Sequence, residues 1–467
     1  MSWDMQSCDT LGVCASHSLY HSNMMAKNSD RPIAEAQPLV WFPAADHEPG
    51  EELDCSGFKI PQAAHTYGVL GSKPYWIWGF EMGANDQGVV IGNEAEFSRD
   101  FKNECGPDKP DGLLGMDLLR LGLERGATAR EAMDVIIALL EKYGQNHNAN
   151  ALHDARYENS FLIADEKEVW VLETAGRRYV AKKINAYHAV GNTYSIGENF
   201  DLASADIEEH AREMGWLMPY DHFSFEKAYS AQIANLTLST PRRRRVMKLA
   251  GMTEEHSFAS LKAIFRDHHE GEICCSRFGA SSGVFPTICR HALTPDHSQT
   301  AACMLTCYRE GIGLVLRQAF SQPCCSVFLP AYVGMDMPEL MSRGGAKFEE
   351  DSLWWLFDRL NKIIALDFDR YAPAVQNGIA ALEEDMEDRA AEAEAKAAEL
   401  GLKGDEQGRA AVLSALMEAC AEQAAAFARE QFEIIAKDLH SYGVTSICGP
   451  HSEFLNHYCA LTDMKLL

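Results

Sequence analysis

Apolar and polar positions alternate through much of the first hundred residues, a pattern that reads as β-rich. Leu11–His17 predicts a short strand, and Leu19–Ala26 a second one after a tight connection. Further strands are expected over Thr66–Leu70, Tyr75–Phe80 and Gly88–Ile91. Gly83 and Asn85–Gly88 supply the turn chemistry between them, with Asn85 as a hairpin turn residue. The period then changes. Leu114, Leu118, Leu121 and Leu123 recur at helical spacing, and Thr128 is placed to cap a second helix, Ala129–Tyr143, ended by Gly144. Strands return over Ser160–Asp165 and Glu168–Thr174, joined through the two-residue turn Glu166-Lys167. Tyr179–Ile184 and Ala186–Gly191 extend the sheet. Residues 221–268 read as helical again, and Thr300–Cys307 with Gly313–Arg317 as a further strand pair. The succession β, αα, β, α, β suggests packed layers of sheet and helix rather than alternating βαβ units.

From about Glu349 the pattern is helical. Ala380–His440 is rich in Ala and Glu, with Leu, Met and Phe at helical spacing and breaks near Gly401 and Gly404, which predicts a helical hairpin or bundle. Its acidic residues read as a solvated face, with an interface between protomers, and so a homo-oligomer through these helices, as the alternative.

Composition narrows the function classes. Apolar residues make up 46% of the 467, enough for a buried core. Lys and Arg number 42 against 68 Asp and Glu, a formal charge of −26, which argues against nucleic-acid binding. The one dense basic run, Arg242–Arg245, follows Pro241 and leads into apolar residues, so it reads as a helix start with a solvated face. The opening MSWDMQSCDT has neither the charged nor the apolar segment of an export signal, and no run of about 18 apolar residues suggests a membrane span. The 14 cysteines are therefore expected as reduced, mostly buried thiols in a cytoplasm.

Candidate chemistry centres on two strings. Cys8 immediately precedes the first expected strand, and Lys27-Asn28-Ser29-Asp30-Arg31-Pro32 lies near the end of the second. The separation of Cys8 from Asp30 allows one strand out, a turn and one strand back, which would set a thiol beside a carboxylate and an arginine. Asp267-His268-His269-Glu270, followed by Glu272, Cys274 and Cys275, invites a metal reading but lacks paired ligand spacing, so neither a metal site nor a cofactor is expected. Gly71-Ser72-Lys73 lacks the glycine directly before the lysine of a phosphate-binding loop, and there is no Gly-x-Ser-x-Gly elbow.

Five stretches carry a family resemblance: CDT at 8–10, KNSDRP at 27–32, WGFEMGANDQGVVIGNEA at 78–95, LLGMDLLRLGLERGATA at 113–129 and SFLIADEKEVWVLETAG at 160–176. Their order and spacing resemble the C69 family of cysteine dipeptidases and the related secernins, within the N-terminal nucleophile hydrolases. RDHHEG at 266–271 and TICRH at 287–291 resemble the dipeptidase branch. The matches run over roughly residues 8–335.

The resemblance implies an αββα sandwich with two antiparallel sheets face to face. Residues 1–7 would be a propeptide, 8–345 the hydrolase domain and 346–467 a mainly helical region. It also implies a cysteine dipeptidase acting on short peptides. Cys8 would be the nucleophile, with its own α-amine as base once Ser7–Cys8 is cut. Asp30 would hold that amine. Asn93 would stabilise the oxyanion, and Asn192 would support it and orient substrate. Lys27 stands where relatives in the wider superfamily carry an Arg beside the nucleophile, a cation that favours thiolate. Lys27, Arg31 and Arg290 are candidate binders of a substrate carboxylate by their charge. An amidase or acyltransferase on a non-peptide amide, and a secernin-like regulatory protein with little hydrolytic activity, are the alternatives.

Overall fold

A computed structural model describes residues 8–231, 239–271, 287–292, 294, 298–449 and 451–467. The expected propeptide, Glu272, Cys274, Cys275 and part of the expected 221–268 helix lie outside the described residues. The described chain divides into two compact units. One comprises residues 8–27 and 42–257, the other residues 28–41 and 258–467. The chain passes from one to the other within a single strand, between Lys27 and Asn28.

The first unit begins with β1 (Asp9–Val13) and the opening half of β2 (Met24–Arg31). It continues with β3 (Val69–Ser72), β4 (Met82–Asn85) and β5 (Val90–Glu96), then helices α1 (Gly115–Arg125) and α2 (Ala129–Tyr143). Strands β6 (Glu158–Ala164), β7 (Val169–Ala175), β8 (Arg178–Ile184), β9 (Tyr187–Gly191) and β10 (Leu202–Ala203) follow, and then helix α3 (Ser239–Ala250). Seven of these strands form one sheet in the order β10-β8-β7-β6-β5-β4-β3, while β9, β1 and β2 are neighbours in another.

Two glycines show how closely these sheets approach. A Cβ on Gly12 of β1 would stand 2.8 Å from Leu162 and 2.9 Å from Val169, and one on Gly92 of β5 would stand 2.8 Å from the Lys27 side chain. Helix α1 packs on β4 and β5, α2 on β6 and β7, and α3 on β9 and β1.

Local signals account for much of this. Helix α2 forms over its expected residues: Thr128 Oγ1 accepts the Glu131 N–H at 3.1 Å, and Gly144 takes φ +74°. The β6–β7 turn closes as the Asp165 N–H donates to the Glu168 carbonyl at 3.0 Å. Asp165 Oδ1 also accepts the N–H groups of Lys167 and Glu168. Asn85 is a turn residue whose amide also donates to the carbonyls of Leu123 and Gly126, tying the β4–β5 turn to the end of α1.

Other boundaries differ. The first strand ends at Val13, and Ala15–His17 is a 3₁₀ turn. The second strand starts at Met24 rather than Leu19, because Asn23 organises the connection. Its side chain accepts the Ala15 N–H at 2.9 Å and donates to the Asp165 carbonyl at 2.8 Å, and Leu19 is left exposed. Tyr75–Phe80 forms no strand. Trp78 and Phe80 instead turn onto the Arg120 guanidinium of α1, at 4.0 Å and 4.9 Å, and Arg120 donates to the Trp78 carbonyl. The stretch expected as helix holds Phe225–Tyr229 and α3 among its described residues before the second unit begins.

The second unit holds the remainder of β2, helix α4 (Phe258–Phe265), and strands β11 (Gln299–Arg309), β12 (Gly313–Phe320) and β13 (Leu329–Tyr332). The strand order is β2-β11-β12-β13. Helices α5 (Leu353–Ile364), α6 (Phe368–Leu402) and α7 (Glu406–Ser441) complete it, the last two forming a hairpin through Gly404 at φ +74°. An 18-residue window of α7 reaches a mean hydropathy of 1.2, long and apolar enough to cross a membrane, but α7 packs along α5, α6 and β13.

The acidic character of α6 is not wholly a solvated face. Glu383 and Glu394 are buried, and with Glu387 they turn inward at helical spacing. Arg317 of β12 lies 2.8 Å from Glu387 and 3.3 Å from Glu394, and Arg266 lies 2.6 Å from Glu383. Buried Arg317 on β12 and half-buried Arg266 after Phe265 supply the countercharges.

Candidate active site

Antiparallel pairing builds the site around Cys8. Asp9 of β1 stands opposite Gly191 of β9, so the next residues outward, Cys8 and Asn192, meet beyond the ladder. The Cys8 N–H donates to Asn192 Oδ1 at 2.8 Å, and Asn192 Nδ2 donates to the Ala95 carbonyl at 2.9 Å. Both residues are buried.

Lys27, on β2, reaches the same place. Its ammonium donates to the Asn93 carbonyl at 2.5 Å and to the Cys8 thiol, and lies 3.6 Å from Glu81 and 3.8 Å from Glu94. Burial works against its charge, but Cys8, Glu94 and Glu81 outweigh that and raise its pKa, so it stays protonated. Burial pushes the Glu94 carboxyl up to about 8, against the opposing pull of Lys27 and of the hydroxyl that Thr10 donates to it. Asn93 thus meets Lys27 through its main chain. Its side-chain amide lies 3.0 Å from Glu81 Oε2 and 3.2 Å from Asn159.

Arg242 was expected at a solvated face and is instead fully buried. Its guanidinium donates to Asp9 Oδ2 at 2.9 Å, to the Cys8 carbonyl at 3.1 Å and to Asn192 Oδ1 at 3.0 Å. Asp9 and Arg242 form a buried pair that holds the Cys8 carbonyl in place. The signal was present in the sequence. On α3, Ser239, Arg242, Val246 and Ala250 are all buried, and their spacing of three and four places Arg242 on the apolar face.

The other expected residues belong to the second unit. Asp30 Oδ1 accepts the Thr300 hydroxyl at 2.7 Å, and Thr300 Oγ1 accepts the Arg290 N–H at 2.9 Å. The Arg290 guanidinium is buried and donates to the Ser298 carbonyl at 3.1 Å. Arg31 already holds a carboxylate, that of Glu35 at 2.6 Å. His17, the histidine near Cys8 in sequence, meets Tyr187 edge-on, and Tyr187 pairs with Val13 at the far end of β1 from Cys8.

Asp267–Glu270 lacks paired ligand spacing in the sequence, but His268 does not stand alone in the fold. His268, Cys289, His291 and Cys324 converge in the second unit. Segments remote in sequence supply them, which no local motif reveals.

Solved structures resemble the chain only loosely. A variant of conjugated bile acid hydrolase from Clostridium perfringens is 10% identical with a TM-score of 0.36, covering 67% of this chain and 89% of that one. A Caenorhabditis elegans N-acylethanolamine-hydrolyzing acid amidase ortholog is 11% identical with a TM-score of 0.31, covering 64% and 92%. A dipeptidase of Bifidobacterium longum (strain NCC 2705) is 28% identical over 229 residues, 44% of this chain. The match spans 40% of that relative's length. Residues 7–251, just over half of the sequence, match the profile of peptidase family C69, and the chain belongs to that family.

Proposed function

We propose that this chain hydrolyses dipeptides through the Cys8 thiol, in an αββα framework of the N-terminal nucleophile type, after residues 1–7 are removed. The observation that carries the reading is the hydrogen bond from the Cys8 main-chain nitrogen to Asn192 Oδ1 at 2.8 Å. That nitrogen is the atom that becomes an α-amine when Ser7–Cys8 is cut, and it already has an acceptor. The layering of α1 and α2, the seven strands, β1 with β9, and α3 supports the framework. Residues 8–345 would form the hydrolase domain and 346–467 its helical extension.

In this reading the amine takes the thiol proton, and the Lys27 charge favours the thiolate. The thiolate attacks the amide carbonyl, with the Asn93 amide as oxyanion donor and Asn192 holding the Cys8 nitrogen and orienting substrate. The proton passes to the leaving nitrogen as the C–N bond breaks. Water activated by the same amine then hydrolyses the thioester. The part of Asp30 in holding the amine rests on its place in the family motif, three residues after Lys27. Lys27, Arg31 and Arg290 are the proposed carboxylate binders, by charge. The buried nucleophile favours short substrates.

The test is a panel of dipeptides and acyl amides, assayed with wild type and Cys8→Ala and accompanied by intact mass. Thiol-dependent dipeptide turnover by a chain beginning at Cys8 is expected. Turnover of acyl amides alone would overturn the dipeptidase assignment.

A further inference from the structure

The second unit carries a grouping that peptide hydrolysis does not use. His268, Cys289, His291 and Cys324 are all buried, and one ligand-type atom from each lies within 4.8 Å of the others. His268 Nε2 and His291 Nε2 are 3.2 Å apart. His291 Nε2 is 3.2 Å from Cys324 Sγ and 3.7 Å from Cys289 Sγ. A tetrahedral zinc ion with Zn–N of about 2.05 Å and Zn–S of about 2.3 Å would set N···N at ~3.3 Å and N···S at ~3.6 Å. The observed separations fall close to both. A hydrogen bond satisfies one pair of these atoms at a time, whereas an ion takes all four.

The surroundings suit such an ion. His268 follows α4, Cys289 and His291 flank Arg290, and Cys324 sits in the 3₁₀ turn Pro323–Cys325 after β12. Arg266 clamps that turn, donating to the carbonyls of Pro323 at 2.7 Å and Ser326 at 2.9 Å. Glu270 Oε1 lies 3.5 Å from His268 Nδ1, which directs Nε2 of that ring toward the cluster, as a carboxylate behind a histidine ligand does. Phe368 meets both rings edge-on, at 6.1 Å and 5.8 Å. A cavity of about 260 Å³ lined by Arg266, His268, Glu270, Cys324 and Gln376 reaches two of the four residues and offers an entry path.

We infer that His268, Cys289, His291 and Cys324 form a Cys₂His₂ site for a zinc-class divalent cation. Two thiols lose their protons on binding, so two thiolates and two neutral imidazoles leave the loaded site without net charge, which burial favours. Four protein ligands leave no open position for water or substrate, so the site is structural. It joins the end of α4, the Arg290 segment and the turn after β12. Arg290, between two ligands, bonds to Thr300, which donates to Asp30.

The test uses full-length, untagged protein purified in reductant without added metal. Elemental analysis is expected to find about one zinc per chain. Exchange for Co²⁺ is expected to give thiolate-to-cobalt charge-transfer bands and tetrahedral d–d bands. Cys289→Ser with Cys324→Ser is expected to lose the metal and both band sets. Glu270→Gln keeps all four ligands and is expected to weaken affinity by roughly tenfold or more. Cys448→Ser, at an exposed cysteine, should retain the metal. Wild type that binds neither Zn²⁺ nor Co²⁺ on titration, a Cys289–Cys324 disulfide in that preparation, or full occupancy in the double variant would overturn the site.

Discussion

Asn192 accepts the main-chain N–H of Cys8 at 2.8 Å while its amide nitrogen holds the Ala95 carbonyl. One side chain therefore positions the Cys8 nitrogen and bridges β5 to the end of β9. Asn192→Ala should lower kcat/KM by about 100- to 1000-fold, the order of loss seen when one preorganised hydrogen-bonding group of an active site is removed. Steady-state kinetics on a cleaved dipeptide checks it, with circular dichroism as the control for folding. A change under tenfold would remove Asn192 from the site.

Cys8 lies at the edge of β1, so Cys8→Ala should preserve the fold and abolish hydrolysis. Cys8→Ser should retain little activity, because a hydroxyl ionises far less readily than a thiol of pKa ~8.5. Intact mass should show that Cys8→Ala retains residues 2–7 while active wild type begins at Cys8. Full activity from a chain that still carries residues 2–7 would refute the α-amine as base.

Arg242 and Asp9 form a buried pair beside Cys8, 2.9 Å apart. Arg242→Met removes a buried countercharge of Asp9 and should destabilise the protein by roughly 3–5 kcal/mol. The double variant with Asp9→Asn should recover part of that loss. Denaturant titrations of the single and double variants measure the coupling. Equal stability of wild type and Arg242→Met would contradict the buried pair.

Glu94 gives a pH-dependent stability with a definite sign. Burial raises its carboxyl from an ordinary 4.5 to about 8. Between those values the folded state binds more protons than the unfolded state, so stability falls as pH rises across that window. Melting temperature should drop more steeply from about pH 5 to about pH 8 in wild type than in Glu94→Gln. Parallel curves would show that Glu94 does not titrate in this way.

Local chemistry was readable in the sequence wherever neighbours along the chain decide the outcome. The Thr128 cap and Gly144 terminate α2 with their own backbone bonds, and Asp165 closes the β6–β7 turn within four residues. The Cys8 and Lys27–Pro32 strings are equally local, and they carried the family resemblance. The folded chain alone decided which polar groups are buried and what they meet. The spacing along α3 places Arg242 on the apolar face, but its countercharge, Asp9, lies 233 residues away and only the fold supplies it. Glu383, Glu387 and Glu394 read as a solvated stripe until Arg266 and Arg317 face them. His268, Cys289, His291 and Cys324 have no recognisable spacing, because three separate segments bring them together. Desolvation and Coulomb attraction act through space, so a charge's partner cannot be read from its sequence neighbours.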